Sequence, residues 1–204
     1  MDAPQPARFF TRGDPTPDPI FYSWPRFVTH IDDDAIAAVG ALYDELGIRG
    51  EVLDLMSSWV SHFRERPERL TVLGMNAEEL AGNPQASATV VHDLNEDPSL
   101  PFADESFDAA VCCVSVDYLV HPIEVFREVA RVVRPGGLFA CTFSNRCFPT
   151  KAIAGWLYAN DAQRCAIVAG YFREAGGWRE PTVEQRTPAH HFGDPLYAVW
   201  STRY

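Results

Sequence analysis

The stretch Phe107-Asp108-Ala109-Ala110-Val111-Cys112-Cys113-Val114-Ser115 constrains this chain more than any other. A run so continuously apolar, flanked by polar turn residues, reads as a strand buried on both faces, and such strands sit in sheets covered by helices on each side. The residues that follow agree. Ile123, Phe126, Val129, Ala130 and Val133 recur at helical spacing, with Glu124, Arg127, Glu128, Arg131 and Arg134 around the rest of the surface. Pro135-Gly136-Gly137 stops that helix, and Leu138 to Phe143 forms the next apolar strand. Strand, amphipathic helix and strand in succession predict a crossover between parallel strands.

The rest of the chain extends the pattern. Ile36, Val39, Leu42, Tyr43 and Leu46 have helical spacing behind the acidic start Asp32-Asp33-Asp34, and Gly47 and Gly50 end it. Three short β-prone runs follow: Glu51 to Leu55, Leu70 to Gly74 and Thr89 to His92, with a helical turn at Ala77 to Leu80. A further helix is predicted from about Ala159 to Ala175. Two strands, Thr182 to Arg186 and Leu196 to Thr202, flank a polar loop with His190 and His191. The expected fold class is α/β: a Rossmann-like, doubly wound, mostly parallel sheet with an antiparallel C-terminal edge strand. Residues 1–31 read as an aromatic, proline-rich arm and 32–204 as the α/β domain. The aromatics of the arm need something to cover, so Tyr22 and Trp24 are candidates for a lid that touches substrate.

Composition removes several function classes. With 28 acidic against 17 basic residues the net charge is -11, which repels phosphate backbones and argues against nucleic acid as a partner. No apolar run approaches the ~18 to 20 residues of a membrane span. Met1 to Asp18 lacks the pattern of a secretory leader, so the chain is expected in the cytoplasm. The five cysteines form no C-x-x-C pair and read as small buried hydrophobes, so no metal is expected. A homo-oligomer is left open.

In an open α/β sheet, ligands bind beyond the carboxyl ends of the strands. The residues there are Asp54-Leu55-Met56-Ser57-Ser58-Trp59, Gly74-Met75-Asn76, His92-Asp93-Leu94-Asn95 and Ser115-Val116-Asp117-Tyr118. Taken with Leu100-Pro101-Phe102, Ser106-Phe107-Asp108 and the helix leading to Arg134-Pro135-Gly136-Gly137, the segment Glu51 to Phe143 resembles the class I S-adenosylmethionine-dependent methyltransferases of the small-molecule type. The resemblance implies S-adenosyl-L-methionine as cofactor and a small molecule as methyl acceptor. It places Asp54, Met56, Ser57, Ser58 and Trp59 at the methionine end, Asn76 at the ribose, Asp93 and Leu94 at the adenine, and Ser115 beside them.

The departures fall on that same site. Met56, Ser58 and Val60 stand where the family's D-x-G-x-G-x-G pattern has glycine, so the loop is expected to take another path. Asn76 stands where the family has an acid, so ribose recognition is expected to be weaker. Should a base assist transfer, His62, His30, Asp117 or Tyr118 is the kind of group within reach, and Asn145 and Arg146 are placed to hold a substrate carboxylate. The alternative reading is a catalytically inactive methyltransferase-like domain that serves as a binding or regulatory module. A dinucleotide oxidoreductase would need G-x-G-x-x-G after the first strand, which is absent.

Overall fold

The computed structural model describes residues 8–188 and 192–204. His190 and His191 of the polar loop, and residues 1–7 of the arm, lie outside them. The strands β1 (Glu51–Leu55), β2 (Arg69–Gly74), β3 (Ala88–Val91), β4 (Phe107–Cys113), β5 (Val133–Phe143), β6 (Thr182–Gln185) and β7 (Tyr197–Thr202) form one sheet in the order β3-β2-β1-β4-β5-β7-β6. Pairing is parallel from β3 through β5 and antiparallel where β7 joins β5 and β6. The antiparallel strand thus enters one place in from the end of the sheet, with β6 outermost. Strand order reverses between β1 and β4, and the crevice at such a switch point is where α/β sheets take their ligands.

The helices are α1 (Asp18–Phe21), α2 (Asp33–Glu45), α3 (Ala77–Ala81), α4 (Pro122–Val132), α5 (Ala154–Leu157) and α6 (Asp161–Ala175). The Asp32 side chain caps α2 by accepting from the Ala35 amide, and Asn160 with Gln163 builds a reciprocal box at the start of α6. Successive residues of β4 point to opposite faces, as their apolar continuity predicts. Ala109 and Val111 meet α2 through Val39 and Tyr43, whereas Ala110 and Cys112 belong to the layer of Phe126, Val129, Phe172 and Phe139 from α4, α6 and β5. The helix before Pro135 stops at Val132, and residues 133–137 bulge into β5 before regular pairing begins at Leu138. Gly136 has φ 83° there, and a Cβ on Gly137 would collide with the Asp108 carbonyl oxygen, so this turn needs both glycines.

No helix follows β1. The crossover 56–68 is irregular, with Met56 and His62 at positive φ (53° and 58°) and Pro67 near its end. Its Phe63 stacks on Tyr43 with ring centroids 4.6 Å apart, so α2, which precedes β1 in the chain, covers the sheet face that a crossover helix would take.

The arm is built onto the domain. The amides of Gly155, Ala154 and Asp14 bond the carbonyls of Phe9, Thr11 and Thr150 at 2.8 to 2.9 Å, so residues 9–14 run alongside 150–155. Deeper in, Asp18 is 5% exposed and accepts two bonds from Arg12 and one from Asn95. The fully buried Lys151 adds an ion pair to Asp18 at 3.2 Å and one to Asp14 at 3.3 Å. Past α1 the arm crosses the carboxyl edge of the sheet as a strap, residues 22–30.

Candidate functional site

A cavity of about 300 Å³ opens beyond the carboxyl ends of β3, β2, β1 and β4, with the strap along one side. Its lining takes Asp54 from β1, Met56 to Val60 and His62 from the crossover, and Gly74 to Asn76 and Glu79 after β2. It adds His92 to Asn95 after β3, Val114, Ser115 and Tyr118 after β4, and Arg146 to Phe148 after β5. Of the residues expected at the cofactor, all nine border it: Asp54, Met56, Ser57, Ser58, Trp59, Asn76, Asp93, Leu94 and Ser115. His30, His62, Tyr118, Tyr22 and Arg146 border it too. Three expected residues do not. Trp24 is 80% exposed on the outer side of the strap, and Asp117 is buried behind Tyr118. Asn145 lines a separate shallow depression with Asp32, Arg164 and Asp194.

The floor is set by β1. Asp54 is 3% exposed and accepts from the Ser57 hydroxyl at 2.7 Å; burial pushes its carboxyl up to about 7, against hydrogen bonding from Ser61 and Ser57. The loop above it follows β2 closely. The Ser57 amide donates to the Leu73 carbonyl at 2.8 Å, and a Cβ on Gly74 would strike the Ser57 carbonyl oxygen. Met56 adopts a positive φ although it carries a side chain, a cost its unbranched Cβ bears more easily than valine would. Val114, at the opposite lip, does carry a branched Cβ at φ 47°, held by its amide's bond to the Thr142 carbonyl. Such strain concentrates at functional sites.

The polar side chains that replace glycine and acid here, Ser58 and Asn76, both have partners, as does the adjoining Trp59. The Ser58 hydroxyl donates to Glu79 Oε2 at 2.5 Å, and the Arg26 amide donates to Glu79 Oε1 at 2.6 Å. Trp59 Nε1 donates to the Val28 carbonyl at 3.1 Å. Asn76 Oδ1 accepts from the Glu78 and Glu79 amides as the cap of α3, while Nδ2 donates to the Tyr22 carbonyl at 2.9 Å. The Asn76 amide is therefore occupied by α3 and the strap. Asp93 Oδ1 accepts from the Asn95 amide at 2.9 Å in an Asx turn, which holds Leu94 at the cavity wall.

At the β4 and β5 end the walls are aromatic. Phe148 lies 5.2 Å from His30, 5.5 Å from Phe21 and 6.0 Å from Tyr118 by ring centroid, and its amide donates to the Tyr118 hydroxyl. Burial lowers the pKa of both His30 and His62, with Glu79 opposing and Arg26 reinforcing the shift at His30, so both rings are neutral proton acceptors at pH 7. Burial raises the Tyr118 pKa, which leaves its hydroxyl a hydrogen-bonding group rather than a base. Asp117, pushed up to about 8 by burial, has an oxygen without a partner but no access to the cavity. Sequence reasoning missed Glu79, Arg26 and Phe148. Only Glu79 left a trace, as an acid in the first turn after β2; Arg26 depends on how the strap lies and Phe148 on the path of the loop after β5. Among the described residues no cluster of His, Cys, Asp and Glu could hold a metal, and no helix is long and apolar enough to cross a membrane.

Comparison with known proteins places this geometry. Residues 53–141 match the methyltransferase domain family. A 55-residue stretch is 49% identical to the demethylmenaquinone methyltransferase of Mycobacterium sp. (strain KMS), covering 25% of this chain and 24% of that protein. A 95-residue stretch is 34% identical to the ubiquinone/menaquinone biosynthesis C-methyltransferase of Bartonella quintana, covering 46% of this chain and 31% of that one. The chain thus spans less than a third of the length of these curated relatives. Among solved structures, a methyltransferase from Aquifex aeolicus superposes with a TM-score of 0.58 at 14% identity, covering 85% of this chain and 99% of that one. The [4+2]-cyclase SpnF superposes with a TM-score of 0.58 at 16% identity, covering 89% of each chain.

Proposed function

We propose that this chain, whose central segment and fold are those of the class I S-adenosylmethionine-dependent methyltransferases, binds that cofactor in the cavity and transfers its methyl group to a small molecule. The observation that carries the reading is the order of groups along the carboxyl edge. Asp93, Asn76 with Glu79, Asp54 and Ser115 follow one another from β3 to β4 around a single cavity. The residues suit such a ligand. Asp54 is a buried carboxyl poised between its two protonation states, and a cationic amino acid moiety beside it favours the ionised form.

When bound, the cofactor supplies a methyl group on a sulfonium whose departure leaves a neutral thioether, so the reaction asks the protein mainly for alignment and dryness. In this reading Asp93 and Leu94 fix the adenine and the crossover loop holds the amino acid end. Tyr118, Phe148 and the strap exclude water. His30 or His62 accepts a proton from an acceptor that must lose one. The names of the relatives, methyltransferases of quinone biosynthesis, support a small-molecule acceptor and make carbon an atom to test.

A second reading is a binding module without transfer. It is favoured by the Asn76 side chain, whose oxygen and nitrogen are already engaged, and by the fact that this fold also carries a cyclase. Calorimetry with S-adenosylhomocysteine, followed by label transfer from S-adenosylmethionine to a panel of phenols, quinols and carboxylates, separates the readings. Binding with transfer supports the enzyme, and binding with no transfer to any acceptor supports the module. No binding by the folded protein refutes both.

A further inference from the structure

Seven arginines among the described residues are at least partly buried, and six of them, Arg12, Arg131, Arg134, Arg164, Arg186 and Arg203, have an acidic partner within 3.3 Å. Arg26 is the exception. Arg26 borders the cavity, and its guanidinium donates to two backbone carbonyls, Phe21 at 2.9 Å and Trp24 at 3.4 Å. It faces the rings of Phe21, Phe148 and Tyr22 at 4.7, 5.6 and 5.8 Å. In a chain with 28 acidic residues a partner is not scarce. A partly desolvated guanidinium with unused donors is costly unless an anion completes it, and a flat fork on aromatic faces is shaped for a planar anion.

We infer that Arg26 is the anion receptor of the cavity, holding a carboxylate of the bound ligand. The inference rests on the cavity being the ligand site proposed above. The carboxylate has two sources: the amino acid end of the cofactor, or an aromatic acceptor lying on the Phe148 side. Either source explains why the strap carries a cation without an acidic partner beside a cavity whose acids are Asp18, Asp54, Glu79 and Asp93 and whose other arginine, Arg146, is already paired with Asp194 at 2.7 Å.

The test measures binding of three probes to native protein, Arg26→Met and Arg26→Lys, with thermal melts to confirm folding. The probes are S-adenosylhomocysteine, 5′-methylthioadenosine, which lacks the amino acid, and benzoate with benzamide as its uncharged control. If the cofactor supplies the anion, Arg26→Met weakens S-adenosylhomocysteine tenfold or more and leaves 5′-methylthioadenosine unchanged. If the acceptor supplies it, both nucleosides bind as before while saturable benzoate binding, absent with benzamide, is lost. Arg26→Lys falls between, since it keeps the charge without the fork. Failure of both nucleosides on native protein sinks the cofactor reading but leaves the benzoate arm to decide this one. Equal binding of all probes to native and Arg26→Met protein, or no binding of either anion to the native protein, overturns the inference.

Discussion

Replacing Asp18 with alanine removes the centre of a buried network that fastens the arm. The native carboxylate takes two bonds from Arg12 at 2.7 and 2.8 Å, one from Asn95 at 2.8 Å, and the Lys151 ammonium at 3.2 Å. Breaking a buried ion pair by deleting one partner costs about 3 to 5 kcal/mol, because the other charge is left uncompensated. Here Lys151 keeps Asp14 and the Thr16 carbonyl, and Arg12 can turn to water, so the loss belongs at the low end, about 3 kcal/mol. At roughly 2 to 4 °C per kcal/mol for a chain of this size, the melting temperature should fall by roughly 6 to 12 °C at pH 7. Burial alone would raise the Asp18 pKa, but the bonds from Arg12 and Asn95 and the charge of Arg12 outweigh it and hold the carboxyl below 3.8. A depressed folded pKa gives stability that is present above the unfolded value and lost as pH falls through the folded one. The gap between native and Asp18→Ala protein should therefore close in acid, below pH 3.8. Differential scanning calorimetry at pH 7 and pH 3 checks both points. A variant that melts with the native protein at pH 7 would show that the network is neutral and the arm is held by packing alone.

Three further outcomes follow from the cavity. Affinity for S-adenosylhomocysteine should rise with pH through about 7 as Asp54 ionises beside the ligand's ammonium, and Asp54→Asn should flatten that profile in calorimetric titrations. Asp93→Ala should weaken the same ligand by about 1 to 3 kcal/mol through loss of a charged acceptor, and unchanged affinity would place the adenine elsewhere. Gly74→Ala should force the Ser57 carbonyl away from β2, costing about 1 to 3 kcal/mol in a denaturant titration and lowering ligand affinity with it. A Gly74→Ala protein with native stability and binding would mean that the loop is slack.

The sheet was legible because its strands are apolar on a period that only a two-sided layer satisfies. Ala109, Ala110, Val111 and Cys112 alternate between two helical layers and leave no other assignment. The carboxyl-edge residues were legible for a related reason: once strand ends are known, Asp54, Asn76, Asp93 and Ser115 must share one edge. What the residue pattern did not carry was the path of irregular backbone. Trp24 and Tyr22 are near neighbours in an aromatic segment, and nothing local says that one faces water while the other walls the cavity. That division is decided at a distance, by Asn76 Nδ2 holding the Tyr22 carbonyl and Glu79 holding the Arg26 amide. Asp117 looked reachable because Tyr118 is; the short helical turn at Val116–Tyr118 points neighbouring side chains apart and buries the acid.

The same contacts bear on what the departures from the glycine pattern mean. A loop released from constraint accumulates substitutions with no common logic, whereas here the polar replacements Ser58 and Asn76, and the adjoining Trp59, each meet a designated neighbour. Ser58 bonds Glu79, Trp59 bonds Val28, and Asn76 bonds both α3 and Tyr22. The crossover has no helix, yet α2 and Phe63 cover that sheet face, and the strap walls one side of the cavity. Glu79 joins the two changes, with one oxygen on the loop and the other on the strap. An acid that ties together the two walls of a cavity would be a poor choice for a relic, because its desolvation is tolerable only while both bonds are made. The altered loop and the arm are thus one construction around the cavity, which is what a protein still binding a ligand there requires, whether or not it goes on to transfer a methyl group.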